Sequence, residues 1–171
     1  IRAYASLIQG ALGTPQSIAN TISKSIPLAF TGLAVAMGSR CGMLNIGAEG
    51  QLHAGAMASV ITALTLNFLP DPILLVVSIL AGILAGMAVG SVPGIFKARF
   101  STNEVIVAIM LNYICTLFTS YLVNGPFKTE GSTAQTELIA EGIWFGKLLP
   151  RTQLTYALFL LIFIAVAMYI F

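Results

Sequence analysis

The stretch ILLVVSILAGILAGMAVGSVPGIF, Ile73 to Phe96, contains no ionisable side chain. A helix needs roughly 20 apolar residues to cross the hydrocarbon core of a bilayer, so this run is long enough to span. A soluble core helix alternates with a polar face, and this one does not. Outward along the chain the pattern recurs. VIVAIMLNYICTLFTSYLV, Val105 to Val123, and LTYALFLLIFIAVAMYIF, Leu154 to Phe171, carry nothing that ionises near neutral pH. A fourth run, Met43 to Leu69, has the length but contains Glu49 and His53. The whole chain of 171 residues is 57% hydrophobic and 8% charged, where soluble domains carry about 25% charged residues. The fold class is therefore an all-α integral membrane protein, a polytopic helical bundle with about four spans in this piece.

Between the spans lie short punctuation segments. LPDP, Leu69 to Pro72, is a tight turn, and KARFSTNE, Lys97 to Glu104, is a short loop with two cations. Asn124 to Gln153 is a long loop holding Lys128, Glu130, Glu137, Glu141, Lys147 and Arg151, with Trp144 and Phe145 suited to a membrane interface. The Lys97–Arg99 loop is expected in the cytoplasm because cations concentrate in cytoplasmic loops. GTPQS, Gly13 to Ser17, reads as a turn, and Ser17 to Ser25 as polar enough for an interface. Ile26 to Gly38 is apolar but only about 20 Å long as a helix, too short to span alone. It runs into GSRCGMLNIG, which reads as a helix broken in or near the membrane, so one span is preceded by a broken helix. Irregular backbone at that depth is tolerated only where protein buries it or water reaches it.

Gly82, Gly86, Gly90 and Gly94 recur every four residues. Residues four apart share a helix face, and a row of glycines lets a second helix approach closely. These four are the expected helix-packing residues.

GMLNIGAEGQL, Gly42 to Leu52, holds the polar residues that such a chain otherwise avoids. Burying a carboxylate at the bilayer centre costs a few kcal/mol on insertion scales, so Glu49 must face a cavity, find a partner or stay protonated. On a continuous helix Asn45, Glu49 and His53 share one face, drifting about 40° per step, while Gln51 points roughly the other way. Two readings stay open. Either Glu49 braces the broken helix, accepting hydrogen bonds from freed N–H groups or from Arg40, or the strip lines a solute path. On the next span Glu104, Ala108, Asn112, Thr116 and Ser120 are also spaced by four. The Asn112 amide, two turns inside the apolar run, needs a partner across helices or in a pathway. Ser101 with Glu104 has the spacing of a capping box. The candidate pathway residues are Asn45, Glu49, Gln51, His53, Asn112 and Thr116.

Several chemistries find no support. There is no P-loop, no H-E-x-x-H and no G-x-S-x-G, no basic run fit for nucleic acid, and no catalytic or metal set. Cys41 and Cys115 follow neither metal nor redox spacing and read as small packing residues.

PLAFTGLAVAMGSRCGMLNIGAEGQLHAGAMAS, Pro27 to Ser59, together with STNEVIVAIMLNYI, Ser101 to Ile114, resembles the permease subunits of bacterial ABC importers. The larger family handles branched-chain amino acids, ribose and other simple sugars, and nucleosides. The pair NIGAEGQ and NEV…IMLNY favours the nucleoside or simple-sugar branch. The resemblance implies that the chain is part of a single transmembrane permease domain, residues 1–171 being a fragment of a longer chain. It implies a second permease subunit, identical or paralogous, two cytoplasmic ATPase subunits that bind ATP and Mg, and an extracellular substrate-binding protein or lipoprotein. No cofactor is then expected on this chain, and the location is the plasma (inner) membrane of a bacterium, with several passes. Asn45, Glu49, Gln51 and Asn112 match the family motif positions. The competing expectation is a secondary transporter or channel in which Glu49 and His53 relay protons or bind an ion.

Overall fold

The computed structural model describes residues 2–129, 131, 133–144, 146, 148, 152 and 154–170. Six α-helices follow in chain order: α1 (Arg2–Leu12), α2 (Pro15–Arg40), α3 (Ala48–Thr65), α4 (Asp71–Phe100), α5 (Glu104–Asn124) and α6 (Ala157–Ile170). No β-strand occurs among the described residues. Among the described residues three helices, α2, α4 and α5, are long and apolar enough to cross a membrane. The chain divides into two compact units, one formed by residues 1–37 and 145–171, the other by residues 38–144.

In the first unit the expected GTPQS turn is the start of a long helix. The Thr14 hydroxyl accepts from the Ser17 N–H at 3.1 Å, and Pro15 occupies the first helical position, where its missing N–H costs nothing. From there α2 runs unbroken through Pro27 to Arg40. This corrects the expectation of a short apolar helix at Ile26 to Gly38. The polar residues Ser17 to Ser25 join the same helix, so its length of 26 residues exceeds what a crossing needs. Ala19, Ile26 and Leu154 form a small core in this unit, with Phe30, Leu148, Leu158 and Leu161 packed on it. The last apolar run is helical only from Ala157 to Ile170. Leu148 and Leu154 pair by a backbone hydrogen bond of 2.8 Å just before it, and Phe171 lies outside the described residues.

The break in the helix falls within GSRCGMLNIG, where the sequence suggests it, and its chemistry is legible. The Met43 N–H donates to the Gly38 carbonyl at 2.9 Å and the Gly42 N–H to the Ser39 carbonyl at 3.1 Å. Gly42 has φ +73°. This is a Schellman cap, and glycine is the residue that takes its left-handed position without a Cβ penalty. Residues 43–47 then stay non-helical until α3 begins at Ala48. The expected span Met43 to Leu69 is therefore shorter at both ends. With Glu49, Gln51 and His53 in its first turns, α3 is not among the helices long and apolar enough to cross a membrane.

In the second unit α3 and α4 form an antiparallel hairpin. The Ser59 hydroxyl donates to the Ser78 carbonyl at 2.6 Å. A Cβ on Gly82 would lie 2.8 Å from Ser59 Oγ and 3.0 Å from the Gly55 carbonyl oxygen. A Cβ on Gly90 would lie 3.0 Å from Gln51 Nε2, while Gly86 and Gly94 have more room, 3.6 Å to the Gln51 carbonyl oxygen and to Met43 Cε. The glycine row thus faces α3 and the segment before it. At the loop end of the hairpin Leu74, fully buried, packs with Ala63 and with Ile143 from the long loop. Trp144 donates its indole N–H to the Ile139 carbonyl at 3.2 Å. Glu130, Phe145, Lys147 and Arg151 of that loop lie outside the described residues.

Candidate functional site

The site is built where α3 starts and α5 crosses it. A helix leaves its first N–H groups without partners, and the N-cap of α3 is Gly47, which has no side chain to supply one. Asn112, in the third turn of α5, supplies it instead. Its Oδ1 accepts from the Gly50 N–H at 2.8 Å, and its Nδ2 donates to the Ile46 carbonyl at 3.0 Å. The partner that the amide needed is therefore the backbone of the broken segment. Gly50 is buried and must be small, because a Cβ there would meet Asn112 Oδ1 at 2.8 Å and Asn112 Cα at 3.1 Å.

Asn45 does not join Glu49 and His53 on a helix face. It lies in the non-helical segment, because the Schellman cap has already reversed the chain. Its amide pairs with that of Gln51. Gln51 Nε2 donates to Asn45 Oδ1 at 3.0 Å and Asn45 Nδ2 donates to Gln51 Oε1 at 3.4 Å. This pair sits on the α4 side, against Gly90. So the residue expected to point away from the strip is the partner of one of its members.

Glu49 is exposed, in the first turn of α3. It lines an open cleft of about 370 Å³ with Ile109, Asn112, Tyr113 and Thr116. Among the described residues it forms no ion pair, so the brace to Arg40 is absent there. Of the candidate pathway residues, the structure brings Glu49, Asn112 and Thr116 to one cleft. Asn45 and Gln51 form the adjoining amide bridge, and His53, half-buried on α3, does not line the cleft. Ile109 and Tyr113 were not anticipated. Their signal was available in the helical register: Ile109 lies three before Asn112 and Thr116 four after it, while Tyr113 lies four after Ile109 and three before Thr116, so Ile109 and Thr116 link both residues on adjoining parts of one face.

A second network closes the same end of the unit. Lys97 Nζ reaches Glu104 Oε1 at 2.7 Å and the Gly42 carbonyl at 3.3 Å. Glu104 is therefore an ion-pair partner, and the expected capping box does not form. Asn103 caps α5 through its side chain, accepting from the Val105 N–H at 3.0 Å. Ser101 instead ends α4 in the left-handed region, with φ 51°. Arg40 and Arg99, in the last turns of α2 and α4, add to the positive charge of this end. Cys115 is buried in the packing of α5, as expected, whereas Cys41 is exposed in the break.

Comparison with known proteins fits this arrangement. Residues 17–171 match the family described as branched-chain amino acid transport system / permease component. The chain is 32% identical over 174 residues to the nucleoside ABC transporter permease protein NupB of Lactococcus lactis, covering 96% of this chain and 48% of that protein. It is 40% identical over 121 residues to the guanosine ABC transporter permease protein NupP of Bacillus subtilis, covering 71% and 34%. It is 32% identical over 128 residues to the glucose ABC transporter permease protein TsgB13 of Haloferax volcanii, covering 75% and 33%. The chain thus spans about half the length of the first of these relatives and about a third of the other two. No solved structure matches it. The three apolar spans and the match over residues 17–171 make this chain a multi-pass membrane protein of the branched-chain amino acid transport system permease family.

Proposed function

We propose that the chain forms part of the membrane permease of an ATP-driven ABC importer that moves nucleosides or simple sugars into the cell. The observation that carries this reading is the cleft at the start of α3, where Glu49, Asn112 and Thr116 meet between otherwise apolar helices. With the Asn112 amide holding the start of α3, the carboxylate and the hydroxyl suit a solute rich in hydroxyls and hydrogen-bonding edges. The names of the relatives support the same solute classes.

On this reading ATP and Mg bind two separate cytoplasmic ATPase subunits, so this chain is no enzyme. A second permease subunit completes the pathway and an extracellular binding protein delivers the solute. Arg40, Lys97 and Arg99 gather at one end of the second unit, which supports a cytoplasmic location for that end. The long loop then faces outward and is available to the binding protein. The membrane is the plasma membrane of a bacterium.

The test is uptake of labelled nucleosides and sugars by the full-length permease reconstituted with its ATPase and binding protein. ATP-dependent uptake that survives a protonophore supports the importer. Uptake that collapses with the proton gradient at constant ATP supports a secondary transporter instead.

A further inference from the structure

We infer that Tyr113 is the specificity-determining residue of the cleft, offering its ring face to a planar heterocycle while Glu49 accepts from the hydroxyls or ring N–H groups beside it. This rests on the importer reading above and narrows its solute to one that carries an aromatic ring.

Three observations lead there. First, Asn112 is already engaged at both amide atoms, one bond to the Gly50 N–H and one to the Ile46 carbonyl. Its role is to fix the start of α3, and with it Glu49, against α5; Asn112 is a positioning residue.

Second, the groups left to meet a solute are the Glu49 carboxylate, the Thr116 hydroxyl and the Tyr113 ring. Tyr113 is 68% exposed, and its ring stacks on no other aromatic ring among the described residues. A sugar can touch the ring only with its C–H groups, whereas a planar heterocycle covers the whole face by stacking.

Third, Tyr113 stands near the middle of α5, about 14 Å along the helix from Glu104. Tyrosines favour the two membrane interfaces, where the hydroxyl stays wet. Tyr121, close to the end of α5, is placed that way. Tyr113 is not, and its hydroxyl finds no hydrogen-bond partner among the described residues. A wetted cleft shared with Glu49 accounts for both polar groups at that depth. The cleft volume of about 370 Å³ falls within the range of small-molecule sites.

The test measures direct binding of labelled guanosine and labelled ribose to the complete permease–ATPase complex with no binding protein present. Guanosine is expected to bind more tightly than ribose. Tyr113→Phe keeps the ring and should keep that preference. Tyr113→Leu should weaken guanosine binding roughly tenfold, as loss of one base–aromatic stack does, and leave ribose unchanged. Equal binding of guanosine and ribose, or an unaltered preference in Tyr113→Leu, overturns the inference while leaving ATP-driven uptake intact. If Tyr113→Leu does not assemble, the unaltered complex is photolabelled with an azido-purine nucleoside. Label on the peptide that contains Tyr113 supports the inference, and label confined to other peptides, as for a tyrosine facing lipid, overturns it.

Discussion

Asn112 caps a helix to which it does not belong: its side-chain oxygen accepts the Gly50 N–H at 2.8 Å across 62 residues of sequence. The same amide holds the Ile46 carbonyl, so both sides of the α3 start depend on one side chain. Asn112→Ala leaves an N–H and a carbonyl without protein partners. Each interhelical bond in a membrane contributes about 0.6 kcal/mol on average and up to about 1.7, and a lost cap typically about 1. A loss of roughly 1–3 kcal/mol in the thermal stability of the assembled complex is expected. Asn112→Asp keeps the acceptor for Gly50 and should retain more of that stability than Asn112→Ala. Equal stability of the wild type and Asn112→Ala would remove the capping role.

The glycines that face α3 should differ among themselves. A Cβ on Gly82 meets the Gly55 backbone at 3.0 Å, which cannot rotate aside, so Gly82→Ala forces the helices apart. Overpacking costs about 1–3 kcal/mol, more than the roughly 1 kcal/mol of helix propensity that alanine returns. At Gly86 the nearest atom is 3.6 Å away, an ordinary contact, so Gly86→Ala should be neutral or stabilising. Melting of the two purified variants side by side decides this, and the same sign for both contradicts the packing account.

Glu49 separates structure from transport. It is exposed at the cleft and forms no ion pair among the described residues. Glu49→Gln is therefore expected to assemble at wild-type level while transport falls several-fold. Poor assembly would restore the bracing role; normal assembly with unchanged uptake would exclude both roles.

The Lys97–Glu104 pair is half open to solvent on the lysine side, with side-chain exposures of 38% and 17%. Such exposed pairs contribute little to stability, and salt screens them. A double-mutant cycle with Lys97→Met and Glu104→Gln should give a small coupling that shrinks at high salt. A larger, salt-insensitive coupling would make the pair a principal tie between α4 and the break.

Ser101 sits at φ 51°, a region that costs a residue with a Cβ roughly 1–2 kcal/mol. Ser101→Gly is expected to raise the melting temperature slightly without altering uptake, and a lowered melting temperature would show that the hydroxyl matters more than the backbone.

What the sequence by itself determined is what depends on local composition and period. The apolar runs Ile73 to Phe96 and Val105 to Val123 became α4 and α5, because a bilayer leaves a chain few structures other than a helix. The glycine period of four marked a face for close helix packing, and the glycine-rich GSRCGMLNIG marked the end of α2; which glycine takes the left-handed cap, Gly42, came from the structure. Asn112 could be recognised as a polar group needing a partner, but not which one. The tertiary structure decided that, since its partners lie 62 and 66 residues away and no periodicity spans such a gap. It also took Asn45 out of the strip, because a cap six residues before α3 reoriented the chain, and set it against Gln51. Glu49 was conspicuous from charge alone. Its company in the cleft, Tyr113 above all, exists only because the Asn112 clamp sets α3 against one particular face of α5.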